Sequence, residues 1–152
     1  MAHDEAVFGN GQVMWSVTAG GPGLVAVGYD ADSDFDQDEA AVWTSTDGLV
    51  WERVAHDETV FGGDGRQSMS SVTAGGPGLV AVGYDADSDF DQGAAAVWTS
   101  TDGLVWQRVA HDETVFGGDG QQAMSSVTAG GPGLVAVGRD LGREAAVVWT
   151  SP

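Results

Sequence analysis

The sequence predicts an all-β fold of stacked, four-stranded antiparallel sheets, and three observations carry that expectation. A 55-residue unit recurs along the 152-residue chain: Val-Thr-Ala-Gly-Gly-Pro-Gly-Leu-Val-Ala-Val-Gly begins at Val17, Val72 and Val127, and fixed-period self-similarity marks repeat architectures. Within each unit the apolar residues come in short runs with a period near two, separated by Gly, Pro and Asp clusters, which is the pattern of strands. Runs such as Leu79-Val80-Ala81-Val82 and Ala95-Ala96-Val97-Trp98 are apolar at consecutive positions, so both faces of each sheet must be covered, and sheets must stack on sheets.

The middle unit shows the elements in order. Its first strand is expected at 69–74. Gly75-Gly76-Pro77-Gly78 follows, with glycines suited to positive φ and a proline of fixed φ, short enough to force an antiparallel hairpin into a second strand at 79–84. An Asp-rich loop leads to a third strand at 95–100, and Thr101-Asp102-Gly103 turns the chain into a fourth at 105–109. No helix is expected. Four antiparallel strands in a unit of about 50 residues, covered on both faces, fit a β-propeller blade. A sandwich or β-solenoid fits less well, since solenoid repeats are shorter and are not built from tight hairpins. The chain reads as one repeat domain with blades near 1–55, 56–110 and 111–152. Residues 16–37 recur unchanged as 71–92, and 41–51 as 96–106, so the units are recent copies of one another.

Composition narrows the function classes. There are 23 Asp and Glu against five Arg and no Lys, giving a formal net charge of -18, which opposes binding to nucleic-acid backbones and anionic membranes. No apolar stretch approaches the roughly 20 residues that span a bilayer. Met1-Ala2-His3-Asp4-Glu5 carries neither the basic nor the apolar region of a signal peptide. Cysteine is absent, so disulfides and thiolate chemistry are excluded.

Ser45-Thr46-Asp47-Gly48-Leu49-Val50-Trp51, repeated at 100–106 as Ser100, Asp102, Gly103 and Trp106 in the same frame, resembles the Asp-box of sialidase-like (BNR/Asp-box type) β-propellers. That motif, Ser-x-Asp-x-Gly-x-x-Trp, sits on the hairpin joining a blade's third and fourth strands. This version is one residue shorter between Asp and Trp. The wider pattern is similar to bacterial repeat proteins carrying Trp-Thr-Ser-x-Asp-Gly hairpins. The resemblance implies a structural duty for the motif, with Asp47 and Asp102 accepting hydrogen bonds from turn amides and Trp51 and Trp106 filling space between blades. Trp43, Trp98 and Trp149, at one position of the third strand, are expected to pack blade on blade, with sugar stacking the minor reading.

Sialidase-like catalysis would need an arginine cluster, a tyrosine nucleophile and acidic partners. Arg53 and Arg108 are copies of one position, as are Tyr29 and Tyr84, so they stand one blade apart and no catalytic residue is assigned. His3, His56 and His111 are likewise copies and cannot converge on one ion, although a local site pairing His56 with Asp57 or Glu58 is open. The Asp-rich loops, Asp30, Asp32, Asp34 and Asp36 with their copies Asp85, Asp87, Asp89 and Asp91, are either solvated acidic loops or a Ca²⁺ site, since the ion takes six to eight oxygens. They match an EF-hand poorly, because Phe35 and Phe90 stand where the turn glycine belongs. Topology places them at the same end as His56, Asp57, Glu58 and Asp64, a face suited to cations, cationic ligands or calcium-bridged sugars.

The reading is a non-catalytic scaffold or binding module, with a lectin-like carbohydrate-binding propeller as the alternative and a sialidase-like hydrolase third. Three blades leave both end faces uncovered, and no counterpart of 105–109 follows Trp149-Thr150-Ser151-Pro152. A homodimer closing a six-bladed ring is therefore expected. If the acidic loops take calcium, the first two should bind it and the third should not, because Arg139-Asp140-Leu141-Gly142-Arg143-Glu144 loses carboxylates and gains two cations. Titration calorimetry with Ca²⁺ should then show two sites, and Asp87→Asn with Asp89→Asn should remove one. Silence at millimolar calcium refutes the site.

Overall fold

A computed structural model describes residues 7–31, 38–76, 78–87, 93–118, 120–131 and 133–152. Among these residues eleven strands form three antiparallel sheets in chain order. The first holds β1 (Gln12–Gly20), β2 (Gly23–Ala31), β3 (Asp38–Ser45) and β4 (Glu52–Arg53). The second holds β5 (Gly65–Gly75), β6 (Gly78–Asp87), β7 (Gly93–Ser100) and β8 (Gln107–Arg108). The third has β9 (Gln122–Gly130), β10 (Gly133–Asp140) and β11 (Ala145–Ser151), with β11 as its edge among the described residues. Each strand pairs with its sequence neighbour, as hairpins dictate.

Two expectations need correction. The expected fourth strand at 105–109 is only the two-residue β8, Gln107–Arg108, because the Asp102 carboxylate takes the N–H groups of Leu104 and Val105 and so keeps them in the turn and out of the ladder. The absence of helix is also overturned, by the single turns α1 (Glu58–Phe61) and α2 (Glu113–Phe116). Asp57 and Asp112 cap them by accepting from Thr59 and Thr114 N–H at 3.0 and 2.9 Å. A cap of this kind satisfies donors that a first turn leaves without partners. Among the described residues no helix is long and apolar enough to cross a membrane.

The first strand of every sheet carries a bulge. Pairing shifts between Met14 and Ser16, between Met69 and Ser71, and opposite Val137 and Gly138. The facing residue is always glycine, because a Cβ on Gly28, Gly83 or Gly138 would lie 1.8, 1.9 or 2.0 Å from the carbonyl oxygen of Val13, Ser68 or Ala123. Such close backbone approach is what a glycine inside a strand commonly signals. Just past the bulge, Ser16 Oγ accepts the N–H of Val72 and Ser71 Oγ that of Val127, each at 3.2 Å. The irregularity in one sheet thus becomes a hydrogen bond to the next.

The core is the space between sheets. Val25, Val27, Ala40 and Val42 of the first meet Met69, Val72, Leu79, Ala81, Trp98 and Trp106 of the second. Val80, Val82 and Ala95, on the second sheet's other face, meet Met124, Val127 and Ala136 of the third. Alternate residues of one strand therefore serve two cores, which accounts for the unbroken apolar runs. Trp98 donates its indole N–H to Val60 O at 2.7 Å and Trp149 to Val115 O at 2.8 Å, tying the second and third sheets to the helical turns that precede them. Trp106 packs in the first joint. At the second joint an apolar cleft of about 470 Å³ lies between Val97, Phe116, Met124 and Trp149.

Because Trp106 is only 4% exposed, Trp106→Ala should cost about 3–5 kcal/mol, the range for emptying a large aromatic site. Trp51→Ala, at a half-buried copy of the position, should cost less. Urea unfolding midpoints of the two variants measure the difference.

Candidate functional site

The two Ser-Thr-Asp-Gly turns are built identically. Ser45 Oγ accepts the Gly48 N–H at 2.9 Å, and Asp47 Oδ1 accepts those of Leu49 and Val50 at 2.8 and 3.0 Å. Ser100 and Asp102 repeat this on Gly103, Leu104 and Val105 at 2.8, 2.8 and 2.9 Å. Gly48 and Gly103 turn at φ of 76° and 78°, a region that only glycine enters without steric cost. Trp106 donates its indole N–H to Gly103 O at 3.1 Å, while Trp51 packs with Val7 and Met14 on the outer face of the first sheet. The turn amides of Val50 and Leu49 hold Asp47 below the ordinary carboxylate value of 3.8, and those of Val105 and Leu104 do the same for Asp102. The hydroxyl and then the N–H of Thr59 lower Asp57, and those of Thr114 lower Asp112.

Of the acidic-loop residues, Asp30 and Asp85 are held in the sheets. Asp30 forms an ion pair with Arg53, and Asp85 with Arg108. Each also accepts from a glutamine on the neighbouring strand, Asp30 from Gln12 at 3.4 Å and Asp85 from Gln67 at 2.8 Å. The Arg108 guanidinium lies 5.7 Å from the centre of the Trp98 ring, so this pair also braces the core. Asp32, Asp34, Asp36, Asp89 and Asp91 lie outside the described residues, as does His3, and Asp87 is described only as the last backbone residue of β6.

At this end of the stack the joints between sheets form acidic clefts. Between the first and second sheets, Glu39, His56 and Glu58 bring three donor atoms within 4.8 Å of one another. His56 Nδ1 is 3.5 Å from Glu39 and Nε2 3.1 Å from Glu58. One imidazole nitrogen and two carboxylate oxygens are a donor set able to hold a divalent cation. Asp57, the other expected partner of His56, is used instead as the helix cap. Glu39 is a site residue that the motif reading missed. Its signal was a break in the repeat, since Ala94 occupies its position in the next unit. The matching cleft between the second and third sheets, about 350 Å³, is lined by Asp64, Asp85, His111 and Glu113 with several glycines. His56 and His111 thus sit in separate joints.

A second exposed feature also breaks the repeat. Trp15, at the bulge position held by Ser70 and Ser125 in the other units, is 60% exposed, and its ring centre lies 6.3 Å from that of Tyr29. Trp43, Trp98 and Trp106 are buried and present no face to solvent. Compared with known proteins, the chain matches no family model, no curated protein and no solved structure.

The lowered carboxylates fix the direction of the pH response. Their folded pKa values lie below 3.8, so their stabilisation is complete above that pH and is lost as the pH falls through the lower folded values. Melting temperature should therefore fall as the pH drops below about 4. At neutral pH, Asp102→Ala should melt lower than the parent, and Asp102→Asn should recover most of the loss because its amide oxygen accepts the same two N–H groups. Equal melting of all three proteins would show that the turn does not need the acceptor.

Proposed function

We propose that the chain is a non-catalytic scaffold or binding module of β-propeller blades that self-assembles through its blade faces, two copies closing a six-bladed ring. The observation that carries this is the stack itself. Three copies of one sheet, each apolar on both faces, cover one another internally and leave Val17 on the first sheet and Val137 and Val148 on the third exposed at the ends. The repeated polar groups supply structure: the turn aspartates cap amides, and Asp30 and Asp85 pair with arginines. Burial of exposed apolar faces drives association. Light scattering on a sizing column should report about twice the 15.6 kDa chain mass, and a compact monomer at micromolar concentration would overturn the ring.

A lectin-like reading stands second, favoured by the exposed Trp15 beside Tyr29. An aromatic face in solvent is a platform for the apolar side of a sugar ring. Binding on a glycan array, competed by free sugar and lost in Trp15→Ala, would establish it. Turnover of a chromogenic glycoside would instead move the assignment to a hydrolase.

A further inference from the structure

We propose that the outer face of the third sheet receives the first sheet of a second copy of this chain, in the register that joins sheets within one copy, with Leu24 and the Asp47 turn of the second copy seated on Gly130 and Gly131. The inference rests on the self-assembly reading above and specifies its contact.

Three features of the internal joints repeat, and the third sheet carries each of them without a neighbour among the described residues. The first is the apolar face. Val80, Val82 and Ala95 are at most 4% exposed beneath the third sheet. Their counterparts on that sheet are Val135, Val137 and Ala146, and Val137 is 44% exposed, with Val148 beside it at 62%. The residue types that meet Val80 and Val82 from the neighbour are Met124, Val127 and Ala136, and the first sheet carries the same types at Met14, Val17 and Ala26. Val17 among them is 58% exposed, while Ala26 is buried and Met14 packs beside it under Val7 and Trp51.

The second feature is a seat made of glycine. A Cβ on Gly20 would lie 2.8 Å from Leu79 Cδ2, and one on Gly75 3.0 Å from Leu134 Cδ2. Gly130 holds the same position in the third sheet and has nothing within 4 Å. Likewise a Cβ on Gly21 would lie 2.7 Å from the carbonyl oxygen of Asp102, whereas Gly131 is open. Leu24 and Asp47 are the first sheet's copies of Leu79 and Asp102. Each socket at one end of the chain therefore has its plug at the other.

The third is the hydrogen bond at the bulge. Ser16 and Ser71 accept from Val72 and Val127 N–H, and Ser126 stands exposed at the corresponding place. In the joined pair it accepts from Val17 N–H of the second copy. Two chains of charge -18 repel each other, while apolar burial attracts. Association should therefore tighten as salt rises from about 0.05 to 0.5 M, since screening lengths fall from roughly 14 to 4 Å.

The chain lacks cysteine, so an introduced pair reports cleanly. Across the internal joint, a Cβ on Gly75 would lie 2.9 Å from Ala129 Cβ, close enough to relax to the roughly 3.8 Å of a disulfide. The equivalent pair between copies is Gly130→Cys with Ala19→Cys. Under mild oxidation this variant should give a covalent two-chain product, while Gly75→Cys with Ala129→Cys links within one chain as the control. Gly130→Leu, placed in open space, should keep the parent's circular dichroism spectrum and halve the mass in solution. A ladder beyond two chains would support the joint and overturn the two-copy ring. A dimer that survives Gly130→Leu and does not cross-link would overturn the joint and leave self-assembly standing. A monomeric parent would overturn both.

Discussion

Every sheet in this protein is apolar on both faces and so cannot be stable without a neighbour. The rest of the structure follows from that constraint. Val25 and Ala26, adjacent on β2, face different cores, and the same alternation recurs at Val80 and Ala81. Close stacking in turn needs room for the neighbour's leucine, which is why glycines stand at Gly20 and Gly75, while those facing the bulges make room for a carbonyl of the adjacent strand in their own sheet. The bulge then supplies a polar link that recurs in both largely apolar joints, the serine hydroxyl that accepts an amide from the next sheet, and the first joint adds the Arg66–Asp38 ion pair.

The same economy governs the acidic side chains. A chain of net charge -18 has carboxylates in excess, yet six of the repeated aspartates among the described residues are bound to local work. Asp47 and Asp102 close turns, Asp57 and Asp112 cap helical turns, and Asp30 and Asp85 anchor arginines across a strand. Two exposed features among the described residues lie where one unit departs from the others. Glu39 adds a third donor beside His56 and Glu58, and Trp15 puts an aromatic ring in solvent.

Much of this was legible in the sequence. Period-two runs and Gly-Pro turns located the strands of the hairpins within a few residues, because both signals are local. The ends of the strands were not legible. β5 starts at Gly65, several residues before its apolar run, since the polar Gln67 and Ser68 are buried in the ladder. β8 shrinks because a side chain competes for its amides. The helical turns were missed since four residues are too few to show a 3.6-residue period, although Asp57 followed by Glu58 was a cap signal. Glu39 and Trp15 escaped a reading organised around copies, which directs attention away from the places where copies differ.

The near-identity of residues 16–37 and 71–92 bears on how the chain chooses its own order. A face that cannot tell its intended neighbour from an equivalent one elsewhere gives no chemical instruction about sequence of assembly. Only the short connectors from Arg53 to Gly65 and from Arg108 to Gln122 do so, by holding the next sheet at an effective concentration that for short linkers is about millimolar. Correct stacking is thus a race won by proximity. Its errors are pairings with the wrong copy, and they grow with the crowding of nascent chains.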